Sequence, residues 1–302
     1  MKPSSPQSPV TKLALSVVHE PERALPAPTG AREEALRFLL QTAADAGIGL
    51  IATRPEGDGE RQLGQAWPFP SPFQVTVRTV PLSEGLDRVE ARARRSLERL
   101  GLPRGDTLLV AEATDLAGVD GRALWDRLNT LKDRGLFRRI GFCAAVEDGP
   151  ALLARRYKPD VVQMPGNLLD QRAHRTGILS ELAEMDVAVH LSSVFARGLL
   201  FMSGETLPDH LAAYAPILSR TRRRLAEARI DPMQATLAYT LGLPEVAAVV
   251  ASVASAAEMR AILAAAHAPR PDLDWAALAF EQPAALSQSP GTAARCAISN
   301  AA

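Results

Sequence analysis

Cysteine is scarce in this chain of 302 residues, which contains only Cys143 and Cys296. Neither belongs to a Cys-x-x-Cys pair or to a Cys/His spacing typical of zinc ligands, so the sequence argues against a disulfide framework and against a metal site. No run of about 18 apolar residues, the length that spans a bilayer, occurs. The first ten residues also lack the apolar stretch of a signal peptide. We therefore expect no membrane association and a cytoplasmic location.

Net charge is also lacking, since 34 basic and 34 acidic residues give a formal charge of zero. This balance gives no reason to expect nucleic acid or an anionic membrane as a partner. Two residue types that often carry proton-transfer chemistry are rare. The lysines are Lys2, Lys12, Lys132 and Lys158, and the tyrosines are Tyr157, Tyr214 and Tyr239.

Apolar residues, by contrast, make up 47% of the chain, enough to bury a large core in one or two domains. Short β-type runs alternate with amphipathic segments, which indicates parallel strand–helix units. The ends, 1–10 and 287–302, are small, polar and proline-containing, and we expect them to be disordered. The predicted strands are 12–16, 49–53, 75–79, 107–111, 139–143, 161–164, 187–192 and 248–252.

Helix signals lie between these strands. The apolar spacing of residues 33–46 places one face of a helix against a core, and residues 86–100 end at a glycine. Asp231 before a proline predicts a helix to residue 241, and a capping-box pattern precedes residues 259–266.

Eight strands in a chain of this length favour a closed (β/α)₈ TIM barrel, one domain over residues 11–286. An open sheet with both edges covered is the alternative, since periodicity does not separate the two. The sequence lacks a Gly-x-Gly-x-x-Gly loop after the first strand, which weakens a dinucleotide-binding doubly wound fold.

Segment 46–60 resembles the signature of the aldo-keto reductase family, in which an apolar strand runs into Asp-Thr-Ala, then Tyr-Gly, then Ser-Glu. Other motifs follow in the family's order, and some are similar to a bacterial branch. They are Glu-x-x-Leu-Gly at 60–64, Ser-Leu-x-Arg-Leu at 96–100, the strand and loop at 162–169, and segments 193–195 and 198–200. The resemblance spans about residues 12 to 286. It implies a barrel that binds NADP(H) across its C-terminal mouth and reduces carbonyls.

The family's Asp, Tyr, Lys and His are not found at the matching positions. Ala52 stands for the Asp, Arg78 for the Lys (or Thr79 if the match shifts by one) and Ala111 for the His, followed by Glu112. The signature is one residue short, so the Tyr has no counterpart. Because no tyrosine is expected at the mouth, we predict that standard carbonyl reduction is lost. The mouth would then bind a small molecule or a protein partner, with a scaffold or regulatory subunit as a further hypothesis.

An active NAD(P)H-dependent oxidoreductase with another proton donor is the alternative. The candidate donors are His190, His19 and Glu112. For both histidines we favour the interpretation as structural polar residues bonded to neighbouring barrel groups. Arg78 could bind an anion or form an ion pair with Glu112 or Glu56.

The resemblance also implies which residues would hold NADP(H). These are Gln163 and Ser193 near the nicotinamide, and Ser255, Glu258 and Arg260 at a helix N-terminus suited to a phosphate. The family's Ser-Asn pair reads Cys143-Ala144 here, so cofactor binding is left open.

Overall fold

Eight parallel strands close into a barrel in the computed structural model, which describes residues 9–17, 29–202, 207 and 209–280. Each strand pairs with the next along the chain, and the last pairs with the first. The strands are β1 Leu13–Val17, β2 Leu50–Ala52, β3 Gln74–Arg78, β4 Gly105–Val110, β5 Phe137–Cys143, β6 Val161–Pro165, β7 Ala188–Ser192 and β8 Val246–Val253. The closed barrel confirms the predicted (β/α)₈ fold and rules out the open sheet.

The helices form a layer outside the barrel. They are α1 Thr29–Asp45, α2 Gly59–Ala66, α3 Leu86–Leu100, α4 Ala113–Ala117, α5 Gly121–Asp133, α6 Pro150–Tyr157, α7 Arg172–Arg175, α8 Ile178–Glu184, α9 Ala215–Glu227, α10 Pro232–Leu241 and α11 Ala256–His267. The predicted helix signals work as expected. Gly101 ends α3 in the left-handed conformation, and the Asp231 carboxylate accepts two backbone N–H groups at the start of α10.

Strand alternation sorts side chains between two apolar regions. Val77, Val162 and Val189 belong to the large core between the strands and the helices. A small second cluster, Ala14, Ala52, Ala248 and Val250, fills part of the barrel interior. Side chains one position along each strand from the outer core therefore face the interior, and this places Arg78, Gln163 and His190 inside the ring of strands.

The barrel limits predicted at residues 11 and 286 remain a prediction, because residues 1–8 and 281–302 lie outside the described residues. Pro9–Lys12 forms a short 3-10 helix, and Val10 is buried against the core, so ordered structure includes two residues assigned to the tail. Among the helices that the structure describes, none is both long and apolar enough to cross a membrane.

Candidate functional site

The carboxyl ends of the strands meet at one rim of the barrel, the mouth at which enzymes of this architecture carry their sites. Ala52 is the last residue of β2 and Arg78 the last of β3. Ala111 directly follows β4, and its backbone N–H donates to the Thr79 hydroxyl at 3.1 Å. The Thr79 side chain thus joins β3 to β4, and Arg78 is the residue that faces the interior.

Arg78 reaches across the end of the barrel. Its Nη2 donates to Oε1 of Gln163 at 2.5 Å, a bond that joins β3 to β6. The Gln163 side chain is 1% exposed, and its Nε2 has no hydrogen-bond partner in the described part of the chain. Within the same residues, Arg78 forms no ion pair with Glu56 or Glu112, so its observed partner is a neutral amide and not a carboxylate.

Two further arginines lie near this bond. Burial lowers the pKa of Arg54, and the charges of Arg78 and Arg197 lower it further, whereas Glu56 and Cys143 act in the opposite direction. Burial also lowers the pKa of Arg197. The mouth therefore contains two guanidinium groups, those of Arg78 and Arg197, close enough to Arg54 to act on its charge.

The Cys143 thiol does not neutralise these charges. Burial raises its pKa above the usual value, although Arg78 and Arg54 oppose the increase. The thiol stays protonated at neutral pH, and its Sγ lies 3.7 Å from Oε1 of Gln163. Cys143 is thus a neutral neighbour of the Arg78–Gln163 bond and not an activated nucleophile.

His190 lies beside Gln163 in the register of β6 and β7 and is 2% exposed. Its Nδ1 is buried and has no partner among the described residues. Burial lowers the pKa of His190 to about 4, with a smaller contribution from Arg139 and an opposing one from Asp106. The imidazole is therefore neutral near pH 7.

The structure does not place the other two candidate donors, Glu112 and His19, beside His190. Glu112 is exposed and precedes α4, and its carboxylate does not cap that helix. His19 lies outside the described residues. Of the three proposed substitutes, only His190 is seen to face the barrel interior.

The tyrosines occupy other parts of the fold. Tyr157 packs on Trp125 in the helical layer and donates to the Leu116 carbonyl at 2.6 Å. Tyr239 packs on Trp275, and burial raises its pKa. Tyr214 stacks on the Phe280 ring. The lysines differ as well: Lys132 pairs with Asp160, and Lys12 donates to the Leu243 carbonyl.

The residues expected at the cofactor phosphate are engaged with the protein itself. The Ser255 hydroxyl accepts the Glu258 backbone N–H, and the Glu258 carboxylate accepts that of Ala254, which caps α11. Arg260 lies over the Phe38 ring at 5.6 Å.

At the expected nicotinamide end, the acceptor oxygen of Gln163 is held by Arg78. Ser193 is exposed, has a positive φ of 55°, and its carbonyl accepts from Asn167. The Gln163 oxygen and the Ser193 carbonyl therefore each have a partner within the protein.

One surface cavity lies away from this mouth. A surface groove of about 580 Å³ runs between α1 and the segment after α2, with Phe38 and Trp67 in its walls. No group of three or more His, Cys, Asp or Glu side chains that could hold a metal occurs in the described ranges. The groove has polar side chains from α1 and α2 in its walls, whereas the strand ends bring Arg78, Gln163 and His190 together from three strands of the barrel.

A closed ring of eight parallel strands with inward polar side chains at its mouth defines the chain as a (β/α)₈ barrel. Residues 75–279 match the Aldo/keto reductase family. The chain belongs to this family, whose members typically bind NAD(P)H.

Solved structures agree with this fold. The aldo-keto reductase AKR11C1 from Bacillus halodurans, in its holo form, is similar with a TM-score of 0.66 and 19% sequence identity, over 85% of this chain and 88% of that chain. Its apo form is matched over 92% of both chains. The proposed aldo-keto reductase PA4992 from Pseudomonas aeruginosa gives a TM-score of 0.63 and 21% identity, over 85% and 89%. No curated protein sequence matches the chain significantly.

Proposed function

We propose that this member of the aldo/keto reductase family does not carry out standard NADPH-dependent carbonyl reduction and uses its mouth to bind a small-molecule ligand. In the reaction that the family resemblance implies, a tyrosine hydroxyl protonates the carbonyl oxygen while a lysine and an aspartate adjust its acidity. Here the matching strand ends carry Ala52, Arg78 and Ala111.

The Arg78–Gln163 bond is the observation that carries this proposal. A guanidinium stays charged at any pH near neutrality, so Arg78 cannot exchange a proton as a lysine can. The same bond uses the Gln163 oxygen, whereas the Gln163 Nε2 donor has no partner among the described residues.

The alternative oxidoreductase needs a different proton donor. With a pKa of about 4, only about one His190 imidazole in a thousand carries a proton at pH 7. Glu112 is exposed on the segment before α4 and does not lie beside His190 in the barrel interior. These observations favour ligand binding over a reductase with a substituted acid.

Calorimetric titration with NADPH and NADH, followed by an NADPH-oxidation assay with simple aldehydes, tests the proposal. We expect turnover far below the roughly 1 per second found for ordinary enzymes. The variants Tyr157→Phe, Tyr214→Phe and Tyr239→Phe are matched controls, and none should alter whatever residual rate is measured.

Turnover at an ordinary enzymatic rate would refute the proposal. If that rate then disappeared in His190→Gln or Glu112→Gln, the substituted-acid alternative would replace it. If turnover instead disappeared in one of the tyrosine variants, a tyrosine hydroxyl would be the proton donor, as in the standard reaction.

A further inference from the structure

Two arginines at the mouth, Arg54 and Arg78, differ from other partly buried arginines of the fold in their ion pairing. Elsewhere in the fold, partly buried arginines form ion pairs: Arg92 with Glu60 and Arg139 with Asp106. Arg54 and Arg78 form no such pair within the residues that the structure describes. An unpaired charge that is partly withdrawn from water costs free energy, and an incoming anion offsets that cost.

The bond to Gln163 positions one of these charges without cancelling it. An amide oxygen carries no net charge, so it fixes the Arg78 guanidinium across the mouth and leaves its positive charge intact. A guanidinium presents several N–H donors in a planar fork, and only part of this fork is used by one amide. The remaining donors suit the paired oxygens of a carboxylate or a phosphate.

Arg54 supplies a second donor, two residues beyond the end of the neighbouring strand β2. It follows Thr53, whose backbone N–H is bonded to the Thr76 carbonyl, so it lies directly after the β2–β3 pairing that leads to Arg78. Its side chain is exposed over much of its surface although its charged end is partly desolvated, so an anion from solvent can reach it. Glu56 is the nearby carboxylate that acts on Arg54, but it does not form an ion pair with it among the described residues.

We infer that Arg54 and Arg78, the latter held by Gln163, bind the carboxylate or phosphate group of a small anionic ligand at the barrel mouth. This inference rests on the proposed function and specifies its ligand class. Arg197, in the loop after β7, adds positive potential near the same point. The chain as a whole is neutral, so the attraction is local to the mouth.

Calorimetry with three probes at constant ionic strength tests the inference: succinate, inorganic phosphate and neutral succinamide. We expect one or both anions to bind and succinamide to bind at least tenfold more weakly. Arg54→Gln and Arg78→Gln should each weaken anion binding at least tenfold, which corresponds to about 1.4 kcal/mol. Arg95→Gln, which removes an exposed arginine from α3, is the control and should bind like the original chain.

Tighter binding of succinate than phosphate would assign the site to carboxylates, and the reverse order would assign it to phosphates. Anion binding unchanged in both Arg54→Gln and Arg78→Gln, or equal binding of succinamide, would overturn the inference. Thermal unfolding of each variant checks that it is folded. If Arg78→Gln does not fold, the anion affinity of Arg54→Gln tests the inference. The titrations contain no NADPH, so the measured anion affinities do not depend on reductase activity. Reductase activity found in the separate assay would refute the proposed function and leave the anion-binding result unaffected.

Discussion

His190 offers a test of the barrel interior that does not depend on any ligand. It is 2% exposed, and burial lowers its pKa from 6.5 to about 4, with Arg139 adding to the shift and Asp106 opposing it. In the unfolded chain the imidazole is hydrated and takes up its proton near the ordinary value. The unfolded state therefore binds more protons than the folded state between these two pKa values.

The sign and size of the effect on stability follow from this difference. His190 costs nothing above pH 6.5, where it is neutral in both states, and destabilises the fold increasingly as the pH falls towards 4. The difference between 6.5 and about 4 corresponds to a loss of about 3 kcal/mol once the pH reaches the lower value. That is a large part of the stability of a typical domain.

Urea unfolding of the original chain and of His190→Gln, at several pH values between 8 and 4, measures this loss. Carboxylates titrate in the same range, but their contributions cancel when the two proteins are compared. We expect the free energy of unfolding of the original chain to fall by about 3 kcal/mol more than that of the variant. His174→Gln, which removes an exposed imidazole on α7, should keep the original pH dependence.

Parallel pH profiles for the original chain and His190→Gln would refute this reasoning. They would mean that the folded barrel accepts a proton on His190 as readily as water-exposed imidazole does. The argument against His190 as a proton donor would then fail too, because a protonated fraction near neutral pH would be available for catalysis.

Two further substitutions test the fold. Gly141→Ala should destabilise the chain by more than about 4 kcal/mol, because a Cβ at Gly141 would collide with the Val161 carbonyl oxygen in the neighbouring strand. Urea unfolding measures this loss. Gly49→Ala is the control, because a Cβ at Gly49 would have no atom within 4 Å. A mild effect of Gly141→Ala would show that β5 and β6 can separate. Asp231→Ala should cost about 1 kcal/mol, since it removes the cap of α10, whereas Asp231→Asn should largely retain stability. Equal losses in both would mean that the cap is not what Asp231 contributes.

Most of the barrel was predictable because local patterns specify it. Each predicted strand boundary lies within two residues of the observed one, since β-branched runs end at glycine, proline or charged residues. The α3 helix was predicted to the residue, with its leucine and alanine spacing and its glycine stop. The choice between closed barrel and open sheet was different. It depends on whether β8 pairs with β1, a contact between residues more than 200 positions apart.

The functional site divides in the same way. The sequence alone determined that Ala52, Arg78 and Ala111 stand at three strand ends, because strand position and alternation are local properties. It did not determine the partner of Arg78. Sequence reasoning offered the nearby acidic residues Glu56 and Glu112, and the observed partner is Gln163, separated from Arg78 by 85 residues.

Only the tertiary structure decided that partnership, and the protonation of His190 as well. Closing eight strands into a ring brings β3 and β6 to opposite sides of one narrow space. There the Arg78 guanidinium reaches the Gln163 amide, which is distant in sequence. The same closure removes water from His190 and so sets its charge. Residue order fixes which groups face inward; the three-dimensional enclosure fixes which of them meet and how strongly each holds a proton.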